Sequence, residues 1–153
     1  MIWFKEYTLE MLEGLRNANM GTHLGFHFSE IGPDYLCGTL PVDQRTTQPF
    51  GIFHGGASCT LAETLGSVAA WMTIDPEEYR AVGLEINCNH IRAVTGGVVE
   101  GRAVPLHLGR RTQVWQIDMH EQATGKRTAI SRITMAIIDH GTLSTQKDKV
   151  VVG

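Results

Sequence analysis

The chain has no apolar run approaching the ~20 residues that a membrane-spanning helix needs. Its opening residues, Met1-Ile-Trp-Phe-Lys5-Glu6, lack the basic stretch, apolar segment and small-residue cleavage site of a secretory leader. Cysteine is sparse: Cys37, Cys59 and Cys88 are scattered without a C-x-x-C spacing and cannot all pair within one chain, so a reducing, cytoplasmic setting is expected. Excess positive charge is also missing, and a formal net charge of −3 argues against a general nucleic-acid binder. There is no repeat, linker or composition shift. With 153 residues, 42% of them hydrophobic, the expectation is one soluble domain over residues 1–140 with a real core, and a mostly polar, poorly ordered tail over 141–153.

Two further absences bear on chemistry. None of the seven histidines sits at helical ligand spacing with a cysteine or carboxylate partner, so neither a metal site nor a cofactor is expected. The segment Gly56-Ala-Ser58-Cys-Thr60 lacks the second glycine of a nucleophile elbow, which disfavours a Ser/His/Asp hydrolase.

What is present centres on residues 48–71. This stretch begins as a Pro/Gly-broken loop, Gln48-Pro-Phe-Gly51, and ends as an apolar helix of small residues containing one carboxylate, Glu63. Gly55 and Gly56 let the backbone turn tightly into the helix, so that its first N–H groups can face a ligand. Those donors and the positive end of the helix dipole suit a carbonyl oxygen gaining negative charge. Glu63 follows two turns later among Leu61, Ala62 and Leu65, a setting too apolar for an ordinary surface acid. A donor-rich helix start with an isolated carboxylate nearby points to acyl-transfer chemistry.

In chain order, Thr8 caps a short helix bearing Leu9, Leu12 and Leu15 on one face, with its end near residues 17–21. Residues 26–30 and 35–42 read as strands joined by the turn Gly32-Pro33-Asp34. The helix over 56–72 carries Leu61, Leu65, Val68 and Met72 as an apolar ridge and few charges anywhere, which implies burial nearly all round. Strands are predicted over 81–87, 98–104, 112–119 and 127–138, with residues 105–109 as a break. One long buried helix followed by strands on short turns is an α+β arrangement, an antiparallel sheet wrapped around one central helix.

These residues carry a family resemblance over nearly the whole chain, from Met1-Ile-Trp3 through Ile138. Before the helix it rests on Leu40-Pro-Val-Asp43, Arg45-Thr46 and Gln48-Pro-Phe-Gly51; at the helix on His54-Gly-Gly-Ala-Ser58, Leu61-Ala-Glu63 and Gly66-Ser67. After the helix it rests on Val82-Gly-Leu-Glu-Ile-Asn87, Asn89-His90 and Pro105-Leu-His-Leu-Gly-Arg110. The chain resembles the hotdog-fold acyl-CoA thioesterases, in the branch of the phenylacetate-pathway and 4-hydroxybenzoyl-CoA enzymes. Within that branch, Glu85-Ile-Asn87 and Gln113-Val-Trp-Gln-Ile117 look closer to the menaquinone-pathway 1,4-dihydroxy-2-naphthoyl-CoA hydrolases than to the siderophore-pathway proofreading thioesterases. The tail beyond His140 departs from both groups.

The resemblance implies hydrolysis of an acyl-CoA thioester, with an aromatic acyl group. Gly55 N–H is then the oxyanion donor, Gln48 a second polar contact, and Glu63 the general base or the nucleophile. Ser67, one helical turn after Glu63, can face the same space, or it can be a packing hydroxyl. His54 either touches the carbonyl or fixes the loop. Coenzyme A phosphates need cations, which His90 with Arg92, and His107 with Arg110 and Arg111, supply from two loops after strands, Gly109 allowing close approach. The family's ligand contacts fall on Gly83, on His90, Ile91, Arg92 and Ala93, and on His107, Leu108, Gly109, Arg110, Arg111 and Thr112. Phe50, Val68 and Trp71 would hold the acyl group if the helix faces them inward, although Trp71 and Trp115 also read as core.

Spacing adds a constraint. Gly55 and Glu63 lie eight positions apart, roughly 12 Å along one helix. One carbonyl cannot be ~3 Å from both. Two antiparallel copies of the helix across a two-fold axis solve this, so a homodimer with shared sites is expected, and the family's habit of pairing dimers adds a tetramer. Carrier-protein thioesters remain open as substrates, as do a non-catalytic acyl-CoA-binding role and, less well matched, a hotdog dehydratase.

Overall fold

The computed structural model describes residues 1–16 and 19–141. Helices α1 (Leu9–Glu13) and α2 (Met20–Leu24) precede strands β1 (His27–Ile31) and β2 (Leu36–Pro41). The long helix α3 (Gly55–Met72) follows, then β3 (Tyr79–His90), β4 (Val98–Leu108), β5 (Thr112–Glu121) and β6 (Arg127–Asp139). The six strands form one antiparallel sheet in the order β1-β2-β4-β5-β6-β3. Among the described residues no helix is long and apolar enough to cross a membrane.

Local chemistry explains the boundaries. Thr8 caps α1 by accepting from the N–H of Met11, and Asn19 caps α2 by accepting from Thr22 N–H. Gly25 ends α2 at φ 77°, the left-handed region that favours glycine. The expected helix end near 17–21 is corrected by this second short helix; residues 17 and 18 lie outside the described residues.

The core lies between α3 and the concave face of the sheet. Leu61, Leu65, Ala62, Ala69 and Met72 pack against Trp115, Ile117, Met119, Ile133 and Met135, all fully buried. Period-two burial along β5 and β6 selects the inward residues. Gly66 sets the spacing of the two layers, because a Cβ there would stand 2.3 Å from Ile133 Cγ2. Val68 is half-buried beside this ridge rather than within it.

β5 and β6 run one or two residues past their predicted ends, and two strands run well beyond theirs. β3 extends from Tyr79 to His90, and β4 continues through Pro105 to Leu108. The register shift between Pro105 and His107 accommodates the missing proline donor, so a residue that reads as a strand breaker sits at a bulge instead. His90 and His107 are therefore strand residues, not members of loops after strands. The tail expectation falls, apart from Gly141, outside the described residues.

Candidate active site

The loop entering α3 is built by local hydrogen bonds. The Asp43 carboxylate accepts from Arg45 N–H at 2.9 Å and from the guanidinium, and Thr47 Oγ donates to Asp43 C=O. The Arg45 side chain, then its backbone N–H, hold the Asp43 carboxyl below its ordinary value. An isolated pairing of Thr47 with Phe53, and a bond from His54 N–H to Thr46 C=O, bring the chain back to the helix start.

Gln48 is oriented by this loop. Its Oε1 accepts from Phe50 N–H at 2.5 Å, which leaves the amide NH2 as the end available to a ligand. His54 is the N-cap of α3, its Nδ1 accepting from Gly56 N–H at 2.8 Å. With Nδ1 an acceptor, the ring proton of neutral His54 sits on Nε2. Ala57 and Ser58 both donate to His54 C=O. Gly55 N–H is left without an acceptor among the described residues. No acidic residue occupies the first turn of α3, so its positive end is not neutralised.

Gln48 and Gly55 open together on a cleft of about 270 Å³, lined also by His90, Ile91, Arg92 and Ala93. Ile91 and Arg92 are held there by backbone bonds to Thr128 C=O. The cleft thus unites the helix start with the first of the two expected cation-bearing segments. Ser58, which the sequence weighs only as a disfavoured nucleophile, also lines it, and so do Phe53, Ile52 and Thr128, which were not expected as site residues. Their type and spacing carry no chemical signal; only the fold gathers them.

Glu63 stands elsewhere. Ser67 Oγ donates to Glu63 Oε1 at 3.0 Å, as the one-turn spacing implies, and also contacts Met135 Sδ at 3.9 Å. The carboxylate lies against β3, where a Cβ on Gly83 would be 2.9 Å from Glu63 Oε1. Gly55 meets the same strand farther along, because its own Cβ would be 2.9 Å from His90 Nε2. The expected catalytic residues therefore form two groups within one chain, Gln48 and His54 with Gly55, and Glu63 with Ser67, the second beside Gly83, an expected ligand contact.

The second cation-bearing segment is also apart from the cleft. Gly109 turns β4 into β5, and its Cβ would meet His107 Nε2 at 2.5 Å and Thr112 C=O at 2.8 Å, so only glycine fits without displacement. Arg110, with Leu108 and Gly109, lines a different hollow of about 450 Å³ near Ile2 and Tyr79. Arg111 pairs with Asp139 at 3.2 Å on an exposed surface.

The three residues expected to hold the acyl group lie apart within one chain. Phe50 is 90% exposed. Val68 lines a cleft of about 250 Å³ with Thr64, Met20, Phe26 and Phe28. Trp71 packs on Tyr7 with ring centroids 5.4 Å apart. Their residue type is right for an aromatic guest, but loop, helix flank and helix end point to different places in one chain.

Tertiary structure also assembles a cluster that spacing did not foreshadow. One ligating atom each from Cys59 on α3 and from Cys88 and His90 on β3 lie within 4.8 Å of one another. Burial first, and then the neighbouring Cys59, push the Cys88 thiol up to about 12.

The profile of the Thioesterase superfamily matches residues 50–128. The chain is 49% identical over 138 residues to the 1,4-dihydroxy-2-naphthoyl-CoA hydrolase of Escherichia coli K12, covering 90% of this chain and 100% of that protein. It is 46% identical over 138 residues to the proofreading thioesterase EntH of Cronobacter sakazakii, covering 90% and 99% of the two chains. Among solved structures, a thioesterase from Haemophilus influenzae superposes with a TM-score of 0.87 at 45% identity, over 91% of this chain and 96% of that one. A Pseudomonas aeruginosa thioesterase mutant gives 0.89 at 41%, over 91% and 99%. The antiparallel sheet wrapped on α3, the donor-bearing start of that helix and these matches agree: the chain belongs to the thioesterase superfamily and is a hotdog-fold thioester hydrolase.

Proposed function

We propose that this thioesterase hydrolyses an aromatic acyl-CoA to the free acid and coenzyme A, in sites shared between two copies of the chain. The observation that carries the reading is the placement of both catalytic groups along β3, with Glu63 against Gly83 and Gly55 against His90. β3 is an edge strand of 12 residues, and Leu84 on it is 63% exposed. A long open edge calls for cover. If two copies pair their β3 edges antiparallel about an axis near Ile86 and Asn87, Gly83 of one copy comes opposite His90 of the other. Glu63 of the first then approaches Gly55 and Gln48 of the second.

In that site the thioester oxygen sits between Gly55 N–H and the Gln48 amide, where charge develops at the tetrahedral stage. Glu63 attacks the carbonyl carbon or takes a proton from the attacking water, and coenzyme A leaves as its thiol. Ser67 positions the carboxylate. Its bond to Glu63 supports that role over packing alone. Arg92 with His90, and Arg110 with His107, are the phosphate-binding candidates, and Arg111 is partly occupied by Asp139.

Hydrolysis of 1,4-dihydroxy-2-naphthoyl-CoA is favoured by the hydrolase that is 49% identical; an aroyl-carrier-protein thioester is the second reading, favoured by the 46% identical proofreading enzyme. Free-thiol release on a panel holding both substrates and alkyl-CoA controls ranks them. Hydrolysis is expected with the aroyl-CoA and lost in Glu63→Gln; full retention in that variant would overturn the mechanism. Binding of CoA esters without turnover would make the chain a binding module. Label uptake into Glu63 from heavy-oxygen water in a single turnover occurs only if the acyl group passes through an anhydride.

A further inference from the structure

Cys88 and His90 are two residues apart on β3, so both project from one face of the strand. Cys59 projects from α3 toward the same place, and Gly55, four residues earlier, shares its side of the helix. His90 is thus held between the two. Its Nε2 stands over Gly55, while its Nδ1 lies 3.9 Å from Cys88 Sγ. The three ligating atoms fall within 4.8 Å of one another, the two cysteines half-buried and the histidine exposed. All three cysteines, these two included, are free thiols.

We propose that Cys59, Cys88 and His90 form a binding site for a thiophilic d10 cation, with Zn²⁺ as the reference ion and the fourth coordination position open to solvent. A tetrahedral zinc with Zn–S of about 2.3 Å and Zn–N of about 2.0–2.1 Å sets its ligand atoms roughly 3.5–3.8 Å apart. The cluster therefore needs movements of about 1 Å or less, within the reach of side-chain rotation. Two thiolates and an imidazole are the donor set that zinc prefers over the hard cations. Binding exchanges two S–H bonds for two S–metal bonds. Both protons pass to the buffer, and His90 ligates as neutral imidazole through Nδ1. Coordination at Nδ1 puts the remaining ring proton on Nε2, the nitrogen beside Gly55. The metal site thereby adjoins the cleft at the start of α3. Inhibition of turnover by the bound ion is the consequence, and that consequence, unlike binding itself, rests on the proposed function.

The test uses the full chain, reduced and stripped of metal. Titration with Co²⁺ should give one ion per chain, with tetrahedral d–d bands and thiolate-to-metal absorption, both displaced by Zn²⁺. Cys59→Ser and Cys88→Ser should each diminish the thiolate absorption, and the double variant should abolish it while keeping its basal thioesterase activity. His90→Ala should weaken Zn²⁺ binding at least about tenfold, the lower limit known for loss of even an outer-shell partner. In wild type, Zn²⁺ should protect Cys59 and Cys88 from alkylation, a readout that stands if the double variant does not fold. No thiolate-to-metal absorption in wild type, the same spectrum in the double variant, or alkylation at an unchanged rate would each overturn the site. So would conversion of the two thiols to an intrachain disulfide in place of Co²⁺ uptake.

Discussion

At the scale of single residues, the groups around α3 divide the work by what their other bonds leave free. Gln48 spends its oxygen on Phe50 N–H and keeps its NH2; His54 spends Nδ1 on Gly56 N–H and so leaves Gly55 N–H unclaimed. Glu63 is steadied by Ser67. A hydrogen bond to a charged group is worth about 1.5–3 kcal/mol, so Ser67→Ala should lower kcat by about one to two orders of magnitude with little change in KM. Steady-state kinetics check this, and an unchanged kcat would leave Ser67 as packing only. Gly83→Ala places a Cβ 2.9 Å from Glu63 Oε1. The carboxylate is the movable end of a flexible side chain, so the variant should keep its melting temperature yet lose turnover. Circular dichroism with a thiol-release assay separates the two effects.

At the scale of elements, the distance between α3 and the sheet is set by small residues. Gly66→Ala would push a methyl into Ile133 in a layer with no slack. Overpacking of that kind costs about 1–3 kcal/mol, read as a lower urea midpoint with an unchanged slope. The 43–47 turn contributes differently. Arg45 holds the folded-state Asp43 carboxyl below its ordinary value. Its stabilising effect is therefore present above the unfolded carboxylate range and is lost as pH falls through the lowered folded value. The Asp43 carboxylate is partly open to solvent, so the effect is local ordering of the loop more than global stability. Carboxyl chemical shifts followed against pH should give an Asp43 midpoint below the ordinary aspartate value, and Arg45→Ala should return it upward. Much of this level was legible in advance: the Thr8 cap, the 56–72 helix and the alternation of β5 and β6 follow from local preferences. Pro105 and the end of β3 were misread, because a bulge and a neighbouring strand supply what the local sequence withholds.

At the scale of the whole molecule, the proposed function has one chain hold the halves of two sites. Complementation tests this directly. Glu63→Gln and Gln48→Ala should each be inactive alone. Refolded together at equal amounts, half of the dimers are mixed and each mixed dimer has one intact site, so activity should recover to about one quarter of wild type. No recovery would place each site within a single chain. The basic hairpin joining β4 to β5 lies away from the Gln48 cleft, so its part in nucleotide binding depends on the assembled molecule. Arg110→Glu with Arg111→Glu should raise KM for coenzyme A esters far more than it lowers kcat. An unchanged KM would put the nucleotide elsewhere.

The sequence by itself determined the class of fold, the family and the identity of the central helix, because caps, periodicity and a glycine-broken helix start act over a few residues. It also determined that Ser67 reaches Glu63, since one helical turn is a fixed geometry. Only the tertiary structure decided that Phe50, Val68 and Trp71 point apart, that Gly83 backs the Glu63 carboxylate, and that Cys59 meets Cys88 and His90. Each of these is a contact between an α3 side chain or its entry loop and a strand far along the chain, or the lack of one. Such contacts depend on where the helix lies over the sheet, which is set by packing volumes such as Gly66 against Ile133 and not by any pattern along the chain.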